Sequence, residues 1–212
     1  MNGKLGACSG LFPMERSERM ENPNIPPDWI HTLEMYEPQD EREAEEKDMM
    51  LELVRSRGSR LLFRENRDAH FTASSIIVNR ERTRTLMIYH RIYESWAWTG
   101  GHADGSGDFE QTARREAMEE TGIAHLRRLG DGPASLEILP VWYHIRRGKP
   151  VGSHLHLNIS YLFEADEREP IRIAPDENSG VEWIDIQQLG QKVSEEPMMP
   201  IYGRLIGKAN IL

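Results

Sequence analysis

Gly100–Ile123 reads GGHADGSGDFEQTARREAMEETGI. A glycine-rich loop runs into a helix-forming segment, and the rest of the chain is read outward from that junction. Asp108 stands where an N-cap belongs, and Gln111 three residues later completes a capping box. Gly122 supplies a left-handed C-cap. Between these limits Glu116, Glu119 and Glu120 recur at i, i+3 and i+4, so a helix projects all three from one face. Crowded carboxylates repel one another and raise one another's pKa unless a cation lies between them. An all-oxygen donor set suits a hard divalent ion, Mg²⁺ or Mn²⁺. Phe109, Ala113 and Ala117 form a narrow apolar strip beside the carboxylates, and the two alanines let the helix approach a sheet closely. Arg115, four residues before Glu119, braces it from the side. Glutamates at this spacing are commonest on a solvated face. The glycine loop and the caps favour a site.

The chain has 212 residues, enough for one domain with a sizeable core or at most two small ones. Charged residues make up 29% and hydrophobic residues 38%, a soluble globular composition. The net charge of −9 argues against general affinity for nucleic acid, which needs a basic surface. Cys8 stands alone, so it forms no intrachain disulfide and supports no structural zinc site. A reducing, cytoplasmic setting is the simplest reading. No apolar run reaches transmembrane length, and the run GACSGLF is too short for a signal-peptide core.

Residues 1–27 read as a flexible extension broken by glycine and proline, with Met14 and Met20 as alternative starts. Residues 28–60 read as a helical lead-in packing on a main domain at 61–212. Within the lead-in, a helix runs from Pro38 to about Arg57, acidic at its start and apolar at Met49, Met50, Leu53 and Val54. Its charge run reads as a solvated face. Three placements are open to this helix: over a cleft, against the main domain, or in a homodimer. Ala69–Val78 and Arg84–His90 predict a β-hairpin. Trp96–Gly100 predicts a short strand, and Leu136–Arg147 one strand interrupted at Pro140. Ser153–Ala165 alternates strictly, with Leu155, Leu157, Ile159 and Tyr161 on one side and His154, His156, Asn158 and Ser160 on the other. Gly180–Ile184 predicts a last strand, and Pro200–Lys208 a terminal helix. Strands on both sides of one central helix give an α+β sandwich with mixed sheets.

Gly101, Arg115, Glu116, Ala117, Glu119, Glu120, Gly122 and Ile123 fall in register with a known signature. The stretch resembles that of the Nudix hydrolases: a glycine, a loop glutamate, then Arg-Glu-apolar-x-Glu-Glu-x-Gly-apolar. One position departs, because Gly107 stands where the signature has its first glutamate, with Asp104 and Asp108 as neighbouring carboxylates. A looser resemblance to bacterial members of unassigned substrate spans about Ala69 to Ile186. The resemblance implies an α/β/α sandwich and hydrolysis of a diphosphate linkage in a small phosphorylated substrate. It implies Mg²⁺ or Mn²⁺ held by Glu116, Glu119 and Glu120 with Gly101, and Arg115 beside them. It implies a general base or extra ligand from a later loop, where Glu177 is the candidate and Asp176 its neighbour.

Other residues carry weaker signals. His154 and His156 share the polar side of one strand and are offered as substrate contacts, though exposed polar positions are the commoner reading. His70 and His102 read as structural. Trp98 and Tyr143 can stack on a base, against a default of packing. Arg146, Arg147 and Lys149 form a small basic patch at a turn. Two rival functions share the fold. A non-catalytic nucleotide sensor draws weight from Gly107, while Arg115, Glu116, Glu119 and Glu120 speak against it. An isopentenyl-diphosphate-isomerase-like enzyme needs a cysteine just before the helix, and Cys8 is far from it.

Overall fold

The structure, a computed structural model, describes residues 29–146 and 148–212. The extension at 1–27 with Cys8, and also Asp28 and Arg147, lie outside the described residues. The centre is a parallel pair, β1 (Ala69–Val78) against β9 (His154–Glu164), in register from Ala69–Leu155 to Val78–Glu164. β1 is buried along its whole length. Beyond β1 lie β4 (Thr99–His102) along its middle, from Thr72 to Ser75, and β2 (Arg84–His90) on its last two residues, both antiparallel. β2 also carries β3 (Ser95–Ala97) and β10 (Asn178–Asp185). Beyond β9 lie β6 (Ser135–Val141) and β5 (Arg127–Leu129). These eight strands form one mixed sheet, and β7 (His144–Arg146) with β8 (Lys149–Val151) forms a separate hairpin.

Alternation sorts the sheet into two faces. Phe71, Ala73 and Ile77 of β1 and Leu157, Ile159, Tyr161 and Phe163 of β9 share a core with Phe109, Ala113 and Ala117 of α3 (Phe109–Thr121). Ile76, Val78 and Leu162 face the other way, onto Tyr202, Leu205 and Ile206 of α5 (Met199–Ala209). Helices therefore cover both faces, and the α+β sandwich expected from the strand order is present. Two predicted strands divide. The segment around Trp96–Gly100 changes partner at Trp98, since β3 pairs with β2 and β4 with β1. The long strand through Pro140 is β6 followed by β7. Pro140 itself stays paired with Leu155, as its place in a strand bonded on one side allows.

The acidic lead-in helix, α2 (Glu41–Arg57), contains one residue that reverses its expected role. Asp40 caps it by accepting from the Glu43 N–H, 2.8 Å. Glu43 itself is fully buried rather than solvated. Its carboxylate accepts from the Tyr36 hydroxyl at 2.6 Å, the Gln39 N–H at 2.9 Å and the Ser135 hydroxyl at 2.9 Å. Arg204 of α5 lies 3.3 Å from Glu43 and 3.4 Å from the equally buried Glu137 of β6. Burial pushes the Glu137 carboxyl up, opposed by Ser135, Ser160, Asn158 and Arg204. One guanidinium thus ties the lead-in helix, the strand beside it and the terminal helix together. Removing it strands two buried carboxylates, which costs far more than losing a surface pair. Arg204→Met is expected to lower unfolding free energy by about 3 kcal/mol, read from urea denaturation. An unchanged midpoint would show that the cluster is not what anchors α2.

Candidate active site

The central helix begins as its sequence predicts, with one exception. Asp108 accepts from the Gln111 N–H at 2.9 Å. The reciprocal half of the box is replaced, because the Asp108 N–H donates to the Ser106 hydroxyl at 3.2 Å. Gly122 closes the helix at φ +77°, where a side chain would be strained. Ala113 and Ala117 have no exposed surface, so α3 lies close against the sheet.

That closeness brings two carboxylates onto the backbone of β4. The Gly100 N–H donates to Glu120 Oε2 at 2.9 Å. A methyl group on Gly101 would overlap the Glu116 carboxylate, and one on Gly100 would overlap Ser74 and the β1 backbone. Glu120 is 4% exposed. Burial pushes its carboxyl well above the usual range; the Gly100 N–H opposes this, and Glu116, Glu177 and Glu119 add to it. Burial also raises Glu116, against Arg115 and with Glu119 and Glu177. Arg115 reaches Glu116 at 2.8 Å and Glu119 at 3.3 Å, so it braces two of the three glutamates. Glu119 is the more exposed member. The donor set is all oxygen, partly desolvated and unfavourable as anions, which is the environment a hard divalent cation relieves.

Glu177 lies on the exposed loop before β10, near enough for its charge to act on both Glu116 and Glu120. The residue that holds this loop in place is Asn178, which the sequence did not single out. Its buried amide donates to the Glu120 carbonyl at 2.8 Å, and its Oδ1 accepts from the Ala174 N–H at 3.2 Å. The neighbouring aspartates are engaged elsewhere. Asp104 accepts from Arg64 Nε at 2.7 Å, and Asp108 serves as the N-cap. Gly107 is buried and lines a cavity of about 850 Å³ together with Trp29, Tyr36 and Leu129.

The proposed substrate contacts fall in three places. His154 and His156 meet His70 and His102, with ring centroids 4.8–5.2 Å apart in five of the pairings. Burial and the neighbouring imidazoles push His156 down to about 2. Trp98 is half-buried and packs edge-on against Tyr202, ring centroids 5.5 Å apart. Tyr143, between β6 and β7, is 62% exposed.

A family model for the NUDIX domain matches residues 69–205, which span this sheet, the glycine loop and the carboxylate helix. The chain belongs to the Nudix family. It is an enzyme of that family's pyrophosphohydrolase class. Among similar solved structures, an Ap4A hydrolase from C. elegans is 20% identical, with 66% of this chain and 95% of that one covered, at a TM-score of 0.48. A NUDIX-family hydrolase from Clostridium perfringens is 19% identical, covering 67% and 97%, at 0.45. MutT from Bacillus halodurans is 18% identical, covering 64% and 81%, at 0.42.

The raised Glu120 pKa makes a stability statement. A carboxyl raised by folding contributes stability that is full below its unfolded pKa and lost as pH rises through the folded one. In the chelator-treated Nudix chain, Glu120→Gln keeps an acceptor for the Gly100 N–H and removes the buried charge. It is expected to raise Tm by several degrees near neutral pH, with the gain closing as pH falls toward the ordinary value of 4.5. Scanning calorimetry across that range reads the difference; a gain that grows toward acid pH contradicts the assignment.

Proposed function

We propose that this chain is a Mg²⁺- or Mn²⁺-dependent hydrolase of a diphosphate linkage in a nucleoside diphosphate derivative or a similar organic pyrophosphate. The observation that carries this reading is the pairing of Glu116 and Glu120, desolvated against β4 and unfavourable as bare anions. Glu116, Glu119 and Glu120, with the Gly101 carbonyl, would hold the ion. When bound, it supplies neutralisation of phosphate charge and a lower pKa for the attacking water. Arg115 holds Glu116 and Glu119 in their orientations. Glu177 faces the cluster from an exposed loop and takes the proton of water as that water attacks phosphorus. The bridging P–O bond breaks, and the products are phosphate or a monophosphate and the remaining phosphorylated group. Tyr143 is the aromatic surface offered to the organic group, whereas Trp98 packs into the α5 layer across the sheet from the carboxylates. The net negative charge of the chain argues against a nucleic-acid backbone, while a bound divalent cation would still let a small phosphorylated substrate approach.

The test is a phosphate-release screen over nucleoside triphosphates, nucleotide sugars, dinucleotides and coenzymes with each metal. Glu116→Gln and Glu120→Gln are each expected to lower kcat about 10³-fold, the scale of several kcal/mol of lost charge stabilisation. Glu177→Gln is expected to cost about 10²-fold in kcat with little change in KM. Gly107→Glu should leave activity equal or higher. Ligand binding without turnover in wild type, retained in Glu120→Gln, would favour the sensor reading instead.

A further inference from the structure

Four of the chain's eight histidines, His70, His102, His154 and His156, gather at one end of the sheet, on the face opposite the carboxylates. The sorting follows from strand geometry. Gly101 and His102 are consecutive on β4, so they point to opposite faces. The Gly101 position points at Glu116, and His102 stacks beside His70 with ring centroids 5.0 Å apart. His70 and His156 are direct register partners on the parallel pair β1 and β9. His154, two residues before His156, points the same way, and its Nε2 lies 3.2 Å from that of His156.

The hydrogen bonds fix which nitrogens carry protons. His70 Nδ1 lies 3.0 Å from the Asn66 carbonyl, and His154 Nδ1 lies 2.8 Å from the Gly152 carbonyl. A carbonyl only accepts, so each Nδ1 carries the hydrogen and each Nε2 keeps a lone pair in the neutral ring. His70 is 3% exposed, and its Nε2 has no hydrogen-bond partner among the described residues. A buried lone pair without a donor is costly. A backbone carbonyl on one ring nitrogen, with the other nitrogen turned toward fellow imidazoles, is how ligating histidines are held. One nitrogen each from His70, His102 and His156 lie within 4.8 Å of one another. Zinc–nitrogen bonds of about 2.0–2.1 Å in a tetrahedron put ligand atoms about 3.4 Å apart. The His154–His156 pair, at 3.2 Å, is close to that spacing.

We propose that His70, His102 and His156, with His154 as fourth donor, form a binding site for a divalent transition ion of the zinc type. Imidazole nitrogens select such ions, whereas the carboxylates across the sheet select Mg²⁺ or Mn²⁺. The two sites are thus chemically separable, and this one does not depend on the proposed hydrolysis.

The test uses the full chain, free of any histidine tag and stripped with chelator. Zn²⁺ binding is measured by calorimetry, and Co²⁺ is added separately to read the visible absorption of a nitrogen-ligated ion. Wild type is expected to bind one Zn²⁺ per chain and to rise in Tm with it. His70→Gln, His102→Gln and His156→Gln should each weaken Zn²⁺ at least tenfold and abolish the Tm rise. Glu116→Gln should bind Zn²⁺ as wild type does. His102→Gln, the half-exposed member, guards against a folding defect, checked by circular dichroism without metal. Absence of Zn²⁺ binding in wild type would overturn the proposal. So would binding kept by the folded histidine variants or lost in Glu116→Gln.

Discussion

The close approach of β4 to the central helix is the constraint on which the rest depends. Gly100 lends its N–H to Glu120, and Gly101 leaves room for Glu116. Neither contact survives a bulkier backbone neighbour or a helix held further out. Ala113 and Ala117 set the helix distance, Asp108 and Gly122 set its ends, and the β1–β4 register sets which glycine meets which glutamate. Asn178 then brings the Glu177 loop against the last turn of the helix. Each of these local choices points to the same arrangement, in which carboxylates are desolvated before any cation arrives.

Desolvation runs against stability, and the fold offsets it elsewhere. The Glu43–Arg204–Glu137 cluster and the two apolar layers hold the sheet between its helices. On the sheet itself, strand parity separates two kinds of chemistry by a single residue. Oxygen donors gather on the α3 face and imidazole nitrogens on the other, because Gly101 and His102 are neighbours on one strand. A sheet with both faces covered can present two different donor sets without either disturbing the other.

Much of this was legible in the sequence, and the parts that were not share a cause. The ends of α3 are written in local side-chain chemistry, and β9 in a two-residue alternation. Both depend on neighbours a few positions apart. The division at Trp98 depends on which strand each half pairs with, and its N–H meets the Tyr202 hydroxyl at 3.4 Å from the far end of the chain. Glu43 looked like one acid among many on a solvated helix, because Ser135, Glu137 and Arg204 are distant in sequence. The histidines were legible only as the pair His154 and His156. His70 and His102 join them through β-pairing, which no local pattern reveals. Asn178 gave no signal beyond its place next to Glu177.

The central claim is that β4 and α3 together build a cation site whose geometry depends on the absent side chain at Gly101. Mn²⁺ titration of the chelator-stripped chain, followed by the electron paramagnetic resonance signal of free ion, tests it most directly when wild type is compared with Gly101→Ala. The added methyl displaces the flexible end of Glu116 and leaves the backbone unstrained, so the fold should persist. The account predicts a saturable Mn²⁺ site in wild type, weakened at least tenfold in the variant. Equal affinity in both chains would contradict it.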